Sequence, residues 1–146
     1  MLKKDQSFEA NMKFDITSHP STQDIDFLTQ KINEEIPTKY GIAHPFAIFV
    51  KTSNGSILAG CNGSVIFGAI YTDQLWVHPE HRGKGVARRL MEQVHQYGKQ
   101  NGCAMATVST LDFQVPEFYQ KLGYKTDFAR HGYKNGARCV FLSKVL

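Results

Sequence analysis

No stretch of this sequence approaches the roughly 20 consecutive apolar residues that a membrane-spanning helix needs, which predicts a chain without a transmembrane segment. The opening MLKKDQSFEAN is polar and lacks the apolar centre of a signal peptide, so a cytoplasmic location is the default expectation. Cysteine is sparse. Cys61, Cys103 and Cys139 are odd in number, widely spaced and include no Cys-x-x-Cys, which argues against a disulfide framework or a zinc knuckle. Cys103 and Cys139 lie at or in apolar runs and read as small buried hydrophobes. There is no internal repeat and no low-complexity segment. Neither sign of charge dominates: 17 Lys and Arg against 13 Asp and Glu leave a formal charge of +4. That balance suits an anionic ligand, whether a nucleotide phosphate or a nucleic acid, and does not choose between them.

What is present fits one globular domain. The chain has 146 residues with 42% hydrophobic and 21% charged, enough for a single core and far from a disordered composition. The polar run Lys3–Asn11 reads as a loose extension, with the folded domain beginning near Met12. Met12–Thr17 is short and partly alternating, a candidate first strand. Ile25, Leu28, Ile32 and Ile36 recur at helical steps and predict a helix over Gln23–Ile36 with one apolar face, capped by Ser21 or Thr22 and stopped by Pro37. Thr38–Pro45 reads as a loop. Phe46–Lys51 and Ile57–Phe67 flank Asn54-Gly55, a strong hairpin signal. Gly60 and Gly63 in the second run mark a bulge or a close backbone approach, and Gly68–Val77 completes an antiparallel meander. A helix follows over Val86–Gln100, with Val86, Leu90, Val94 and Tyr97 on one face. Cys103–Ser109 is nearly unbroken in apolarity, as expected of a strand covered on both faces. Pro116 opens a short helix that Gly123 ends, and Tyr124–Arg130 and Arg138–Lys144 are the last strands. The order is β-α-β-β-β-α-β-α-β-β, a mixed α/β single domain.

The chemistry concentrates where the third meander strand hands over to a helix, at Leu75-Trp76-Val77-His78-Pro79-Glu80-His81-Arg82-Gly83-Lys84-Gly85-Val86-Ala87. The first-turn N–H groups of a helix lack internal partners, and the helix dipole adds partial positive charge there. Gly83 and Gly85 leave the approach to such an anion site unobstructed, and Arg82, Lys84, Arg88 and Arg89 surround it with positive charge. The segment does not match a P-loop, since His78 stands where the first glycine belongs and Gly85 follows Lys84. Nor does it fit a dinucleotide fingerprint, which would need glycine or alanine at Arg88 and an early βαβ unit.

Arg82-Gly83-Lys84-Gly85-Val86-Ala87 matches the acyl-CoA signature [QR]-x-x-G-x-[GA]. With its Leu-x-Val strand end and following helix, the segment resembles the GNAT superfamily of N-acyltransferases. Pro116-Glu117-Phe118-Tyr119-Gln120-Lys121-Leu122-Gly123-Tyr124 is similar to the family's Y-x-k-x-G-[FY] ending. The resemblance covers most of Phe46–Leu146 and matches the N-terminal third by element order alone. It implies a meander followed by a parallel strand pair that splays around the cofactor. The pantetheine arm of acetyl-CoA would lie along Leu75, Trp76 and Val77, facing Cys103–Ser109. The pyrophosphate would meet the N–H groups of Arg82, Gly83, Lys84, Gly85, Val86 and Ala87, with Arg88 nearby. A backbone N–H near Val77 would polarise the thioester carbonyl. Trp76 also has the ordinary reading of a core tryptophan. Tyr119 falls on the family tyrosine beside the thioester sulfur and would be the general acid. Asp112 stands where the family often has asparagine, and is either a cofactor contact or a helix cap.

Asp73 is the candidate general base, beside the reading as a solvated residue of a Thr72-Asp73-Gln74 turn. His78 and His81, three apart, have no third ligand nearby, so no metal is expected. Glu34, Glu35 and Tyr40, in the region that walls the acceptor groove in the family, would meet a cationic amine, beside the reading as a solvated helix end. The resemblance therefore implies an acetyl-CoA-dependent N-acetyltransferase acting on a primary amine, with a small-molecule acceptor favoured, no nucleic-acid or membrane partner, and a homodimer as the candidate assembly. Kept beside it are an acyl-CoA-binding regulatory module, a protein-lysine acetyltransferase and a basic nucleic-acid binder.

Overall fold

The elements follow from where the apolar residues fall and where glycine breaks the chain. The computed structural model describes residues 10–146, so the expected extension Lys3–Asn11 lies almost wholly outside them. Six strands form one sheet in the order β1-β2-β3-β4-β6-β5. They are β1 (His44–Lys51), β2 (Ile57–Ile66), β3 (Ala69–Val77), β4 (Met105–Leu111), β5 (Lys125–Arg130) and β6 (Cys139–Val145). Among the described residues they are accompanied by the α-helices α1 (Thr22–Glu35), α2 (Val86–Gln100) and α3 (Pro116–Lys121). Among the described residues no helix is long and apolar enough to cross a membrane.

The meander forms as expected. Gly55, with φ of 88°, completes the β1–β2 turn, and Thr52 N–H donates to the Ser56 carbonyl across it. A two-residue link at Phe67 and Gly68, both at positive φ, returns the chain as β3, antiparallel to β2. α2 then packs on one face of the sheet. Leu90, Met91, Val94 and Gly98 are its buried residues, and the first three meet Phe46, Ala59, Cys61, Ile70 and Val77 in one core. Met91, Ile70, Val94 and Leu142 are the largest side chains fully removed from solvent, each contributing roughly 1.5–3 kcal/mol of burial. Gly98 lets α2 approach closely, because a Cβ there would lie 2.8 Å from the Ile70 side chain.

Three expectations are corrected. Met12–Thr17 is not a strand. Phe14 and Ile16 are 81% and 96% exposed, and alternation alone makes no strand where no ladder partner is at hand. The helix expected over Gln23–Ile36 forms, with the Ser21 hydroxyl accepting from Asp24 N–H as its cap. Its apolar face is not buried, however: Ile25, Leu28 and Ile32 are each about half exposed. The strand expected over Cys103–Ser109 begins two residues later and is covered fully on one face only. Ala106, Val108 and Thr110 are buried, while Thr107, Ser109 and Leu111 are half-buried. Smaller shifts begin β1 at His44, inside the expected loop, and end α1 at Glu35.

What positions the site is a break in the middle of the sheet. β3 and β4 run parallel and pair over four residues only, Ala69–Thr72 against Met105–Val108. At the same level the β2–β3 register jumps: Asn62 pairs with Gln74, Gly63 pairs with Thr72, and Asp73 is left over. This is a β-bulge, which bends and twists its strand. Gly63 permits it, since a Cβ there would lie 1.8 Å from the Tyr71 carbonyl oxygen. Beyond the bulge β3 follows β2, and β4 follows β6. The two strands therefore part toward their C-terminal ends. Ionisable groups support the far side of the core. His95 on α2 lies 2.8 Å from the Tyr124 hydroxyl, and burial, with Lys144 and Lys99, lowers its pKa from 6.5 to about 4.

Gly63→Ala forces backbone against backbone, so it is expected to cost about 2 kcal/mol or more, read as a lowered denaturant midpoint, with Gly55→Ala, which meets open space, as the milder comparison. His95 is carried neutral in the folded domain while the unfolded chain protonates near its ordinary 6.5. Stability is full above that pH and falls as pH drops toward about 4. Thermal melts across this window will show a falling Tm, and His95→Gln will flatten the slope.

Candidate active site

The parted ends of β3 and β4 make a cleft of about 840 Å³. Asp73, Gln74, Leu75, Trp76 and Val77 line one wall, Ser109 and Thr110 the other, with Arg82, Gly83 and Ala87 at one end and Gln114, Val115, Phe118 and Tyr119 at the other. The β3 wall is a backbone edge. His78 N–H donates to Leu58 on the β2 side at 2.8 Å, and strand hydrogen-bonding groups alternate in direction. The N–H and C=O groups of Val77 and Leu75 therefore turn away from β2, toward the gap. Arg82 Nε donates to the Val77 carbonyl at 2.8 Å. That bond ties the strand end to the turn and leaves the Val77 N–H without an internal acceptor.

The turn itself is built for exposed donors. Gly83 and Gly85 sit at φ of 73° and 79°, and a Cβ added at either would meet nothing within 4 Å; the left-handed backbone, rather than crowding, requires glycine there. No N–H from Gly83 to Arg88 finds an acceptor in the described protein; the first helical bond of α2 runs from Arg89 N–H to the Gly85 carbonyl. This row of donors at the positive end of a 15-residue helix is an anion site by construction. Of the residues expected around it, Arg82, Gly83 and Ala87 reach the cleft, whereas Lys84, Gly85 and Arg88 do not line it. Arg88 pairs with Glu92 at 3.2 Å. Val86 packs its side chain on the core, so only its backbone is available at the turn.

Tyr119 is the ionisable group set deepest in the cleft. Pro116 starts α3, and the Tyr119 ring packs edge-on to Phe118 at 5.0 Å and to Tyr124 at 5.7 Å between centroids. No acceptor or donor in the described protein engages its hydroxyl. Burial, with smaller contributions from Cys61 and Tyr71, pushes its pKa up to about 12, so the proton stays on oxygen at any ordinary pH. Gln114 fixes the approach to α3: its side-chain carbonyl accepts from the Thr110 hydroxyl and from Leu111 N–H, both at 3.0 Å. Tyr71 bridges the two walls, its hydroxyl lying 3.2 Å from Ser109 Oγ and donating to Asp73 Oδ1 at 3.4 Å.

Several expectations change here. Asp73 is in a strand bulge and lines the cleft, so it is not a turn residue. Trp76 is 47% exposed and lines the cleft; it is not a core tryptophan. Asp112 neither caps α3, which has no side-chain cap, nor faces the cleft. It pairs with Arg138 at 3.2 Å, and hydrogen bonds from that residue hold its carboxyl below its usual range. Glu34 bonds Lys31 and Gln30 along α1 and borders a separate groove with Asn33, Ala43 and His44, and Tyr40 lies exposed under Lys39; neither reaches the cleft. His78 Nδ1 accepts from Glu80 N–H, and among the described residues no three His, Cys, Asp or Glu side chains gather as a metal site. Tyr71, Gln74, Thr110, Gln114 and Val115 join the site without a sequence expectation behind them, and Ser109 enters as the end of the expected facing strand. Val115 stands four residues before Tyr119, one helical turn away, which is a usable signal; Tyr71 and Ser109 meet only through the strand pairing.

Comparison with known proteins gives the family and the fold. The acetyltransferase (GNAT) domain family matches residues 44–126. The blasticidin-S acetyltransferase of Streptomyces morookaense is 31% identical over 102 residues, 69% of this chain and 75% of that protein. A crystal structure of an acetyltransferase from Bacillus cereus superposes with a TM-score of 0.72 at 23% identity, covering 90% of this chain and 98% of the other. A Bacillus anthracis structure described as a streptothricin acetyltransferase, in complex with acetyl coenzyme A, superposes with a TM-score of 0.63 at 15% identity, covering 70% of this chain and 62% of the other.

Proposed function

The chain belongs to the GNAT family of acetyl-CoA-dependent N-acetyltransferases, and from that premise we propose that it acetylates the primary amine of a small molecule in the β3–β4 cleft, with Tyr119 as general acid and Asp73 as general base. The observation that carries this is the coincidence of an unpaired strand edge, a row of free helix-start N–H groups at the end of the cleft and a half-buried, protonated phenol within it. The free N–H groups of 83–88 fit a pyrophosphate, and the open edge at Leu75 and Val77 fits an amide-bearing arm laid along it. Acetyl-CoA supplies an acetyl group activated as a thioester.

The chain's own residues then divide the work. The Val77 N–H faces the gap and is the donor for a carbonyl oxygen that gains charge, worth a few kcal/mol in the transition state. Asp73 accepts the proton that the amine sheds as its nitrogen bonds the acetyl carbon. Tyr119 gives its proton to the sulfur as the carbon–sulfur bond breaks, so a neutral amide and a neutral thiol result. The raised pKa keeps Tyr119 protonated before the reaction; it also makes the phenol a weaker acid than a free tyrosine, so its proton moves to sulfur as the carbon–sulfur bond breaks and not before. Tyr71 and Ser109 hold the Asp73 side of the cleft through their shared hydrogen bonds. A small-molecule acceptor is supported by the relatives named for blasticidin S and streptothricin.

Thiol release from acetyl-CoA across a panel of amines tests this. Tyr119→Phe is expected to lower kcat by about 10²-fold or more with acetyl-CoA affinity little changed. Because the phenol titrates only at about 12, its ionisation will not depress kcat at lower pH. An undiminished kcat in Tyr119→Phe would overturn the acid role.

A further inference from the structure

On the sheet face opposite α2, a second cavity of about 300 Å³ adjoins the cleft. Gln74 and Trp76 line both. Its architecture follows from strand register. Phe49 pairs with Gly60, and Gly60 pairs with Trp76, so the three form one cross-strand row on one face. Two aromatic side chains thus flank a glycine, two strand spacings or about 10 Å apart at the backbone. Gly60 supplies the floor, with the Phe49 ring leaning over it: a Cβ at residue 60 would lie 2.6 Å from Phe49 Cδ1. Ile57 closes one end.

The next row on the same face is Asn62 opposite Gln74. Asn62 Oδ1 is buried and has no hydrogen-bond partner among the described residues, an uncommon and costly state; rotation of the Asn62 amide toward the slot it lines would let a ligand's N–H or O–H relieve it. No carboxylate, ammonium or guanidinium lines this cavity. Cys61 does, but its thiol is buried and neutral, its pKa pushed up to about 11. Phe49, Ile57 and Trp76 are each about half exposed; the Lys51 ammonium stands 5.4 Å from the Phe49 ring centroid, outside the residues that line the cavity, and the His78 ring meets Trp76 edge-on at 5.9 Å.

We propose that the Phe49–Gly60–Trp76 slot holds the body of the acceptor: a flat, uncharged ring system with a hydrogen-bond donor directed at Asn62 Oδ1, its amine-bearing arm passing Gln74 into the cleft toward Asp73. This rests on the transfer reaction proposed above and adds the acceptor's chemical class. An aliphatic polyamine would gain nothing from this slot, which has no negative charge to offer it, while a ring gains contact on both aromatic side chains. Aromatic contact with one hydrogen bond amounts to about a tenfold advantage or more.

Trp76 is the only tryptophan in the sequence, so its fluorescence reports directly on the slot, without turnover. Tyramine, phenethylamine and putrescine are titrated into the protein with indole emission as readout, and the same amines are compared by KM for thiol release. Tyramine is expected to perturb Trp76 saturably, at concentrations about tenfold or more below putrescine. Asn62→Ala should abolish the advantage of tyramine over phenethylamine, and Phe49→Leu should weaken both ring amines while leaving putrescine unchanged. Equal or stronger effects of putrescine would overturn the proposal. So would emission that ignores all three amines but changes with protein concentration, which would make this face a contact between two copies of the chain. Failure of the transfer reaction shows separately, as acetyl-CoA binding without thiol release to any amine, and leaves the fluorescence ranking readable.

Discussion

Everything at this site depends on four residue pairs. β3 and β4 are joined only from Ala69–Thr72 to Met105–Val108. A longer pairing would consume the backbone edge of Leu75 and Val77 in a ladder, and a shorter one would leave the halves of the sheet unattached. The length is set on the other side of β3, where the bulge at Asp73 changes the direction of the strand and Gly63 makes room for it. A stabilising ladder is thus stopped midway, and the groups it would have satisfied become donors and acceptors for a ligand. The cost is local. α2 packs across Ile70 and Val77 and bridges the paired and unpaired parts of β3, so the gap opens beside a rigid core.

The same logic governs the turn. A helix start always exposes donors; here Gly83 and Ala87 reach the end of the cleft, next to the point where Arg82 folds back and ties the turn to the Val77 carbonyl. The motif alone assigns Arg82 to phosphate through its charge, and its observed bond makes it a link between the two backbone features. Lys84 and Arg88 contribute to the surrounding field without lining the cleft, and Arg88 is partly neutralised by Glu92. Binding of an anion here rests mainly on oriented peptide groups. These are less sensitive to salt than mobile surface charges, since close and partly shielded interactions are screened less.

What was legible in the sequence was whatever chain-local chemistry dictates. The bounds of α2, the Asn54-Gly55 hairpin, the meander and the start of α3 at Pro116 all follow from short-range rules and match the structure. The glycine turn and Tyr119 were legible through motifs whose physical content is equally local. The network of Tyr71, Ser109 and Asp73 was not, because it exists only once β3 and β4 align and Asp73 falls into the bulge. Asp112 shows the reverse error: a motif position suggested cofactor or cap, and a residue 26 positions away, Arg138, claims it instead.

The apolar residues outside the core show what periodicity can and cannot decide. Ile25, Leu28 and Ile32 have the spacing of a buried helix face and remain largely exposed, since period reports that a face exists and not what meets it. Trp76 has the composition signal of a core residue and is likewise exposed, yet its setting differs. It stands in register with Gly60 and Phe49, next to an unsatisfied Asn62 oxygen, and on the rim of the cleft where the proposed acid and base lie. On α1, Ile25 borders a groove with Asp26, His44 and Ser64, but the unsatisfied buried side-chain oxygens among the described residues lie elsewhere, on Asn62 and Thr72. The slot beside β3 combines aromatic walls, a glycine floor and one unmet hydrogen bond, and that combination distinguishes a place for a ligand from uncovered surface.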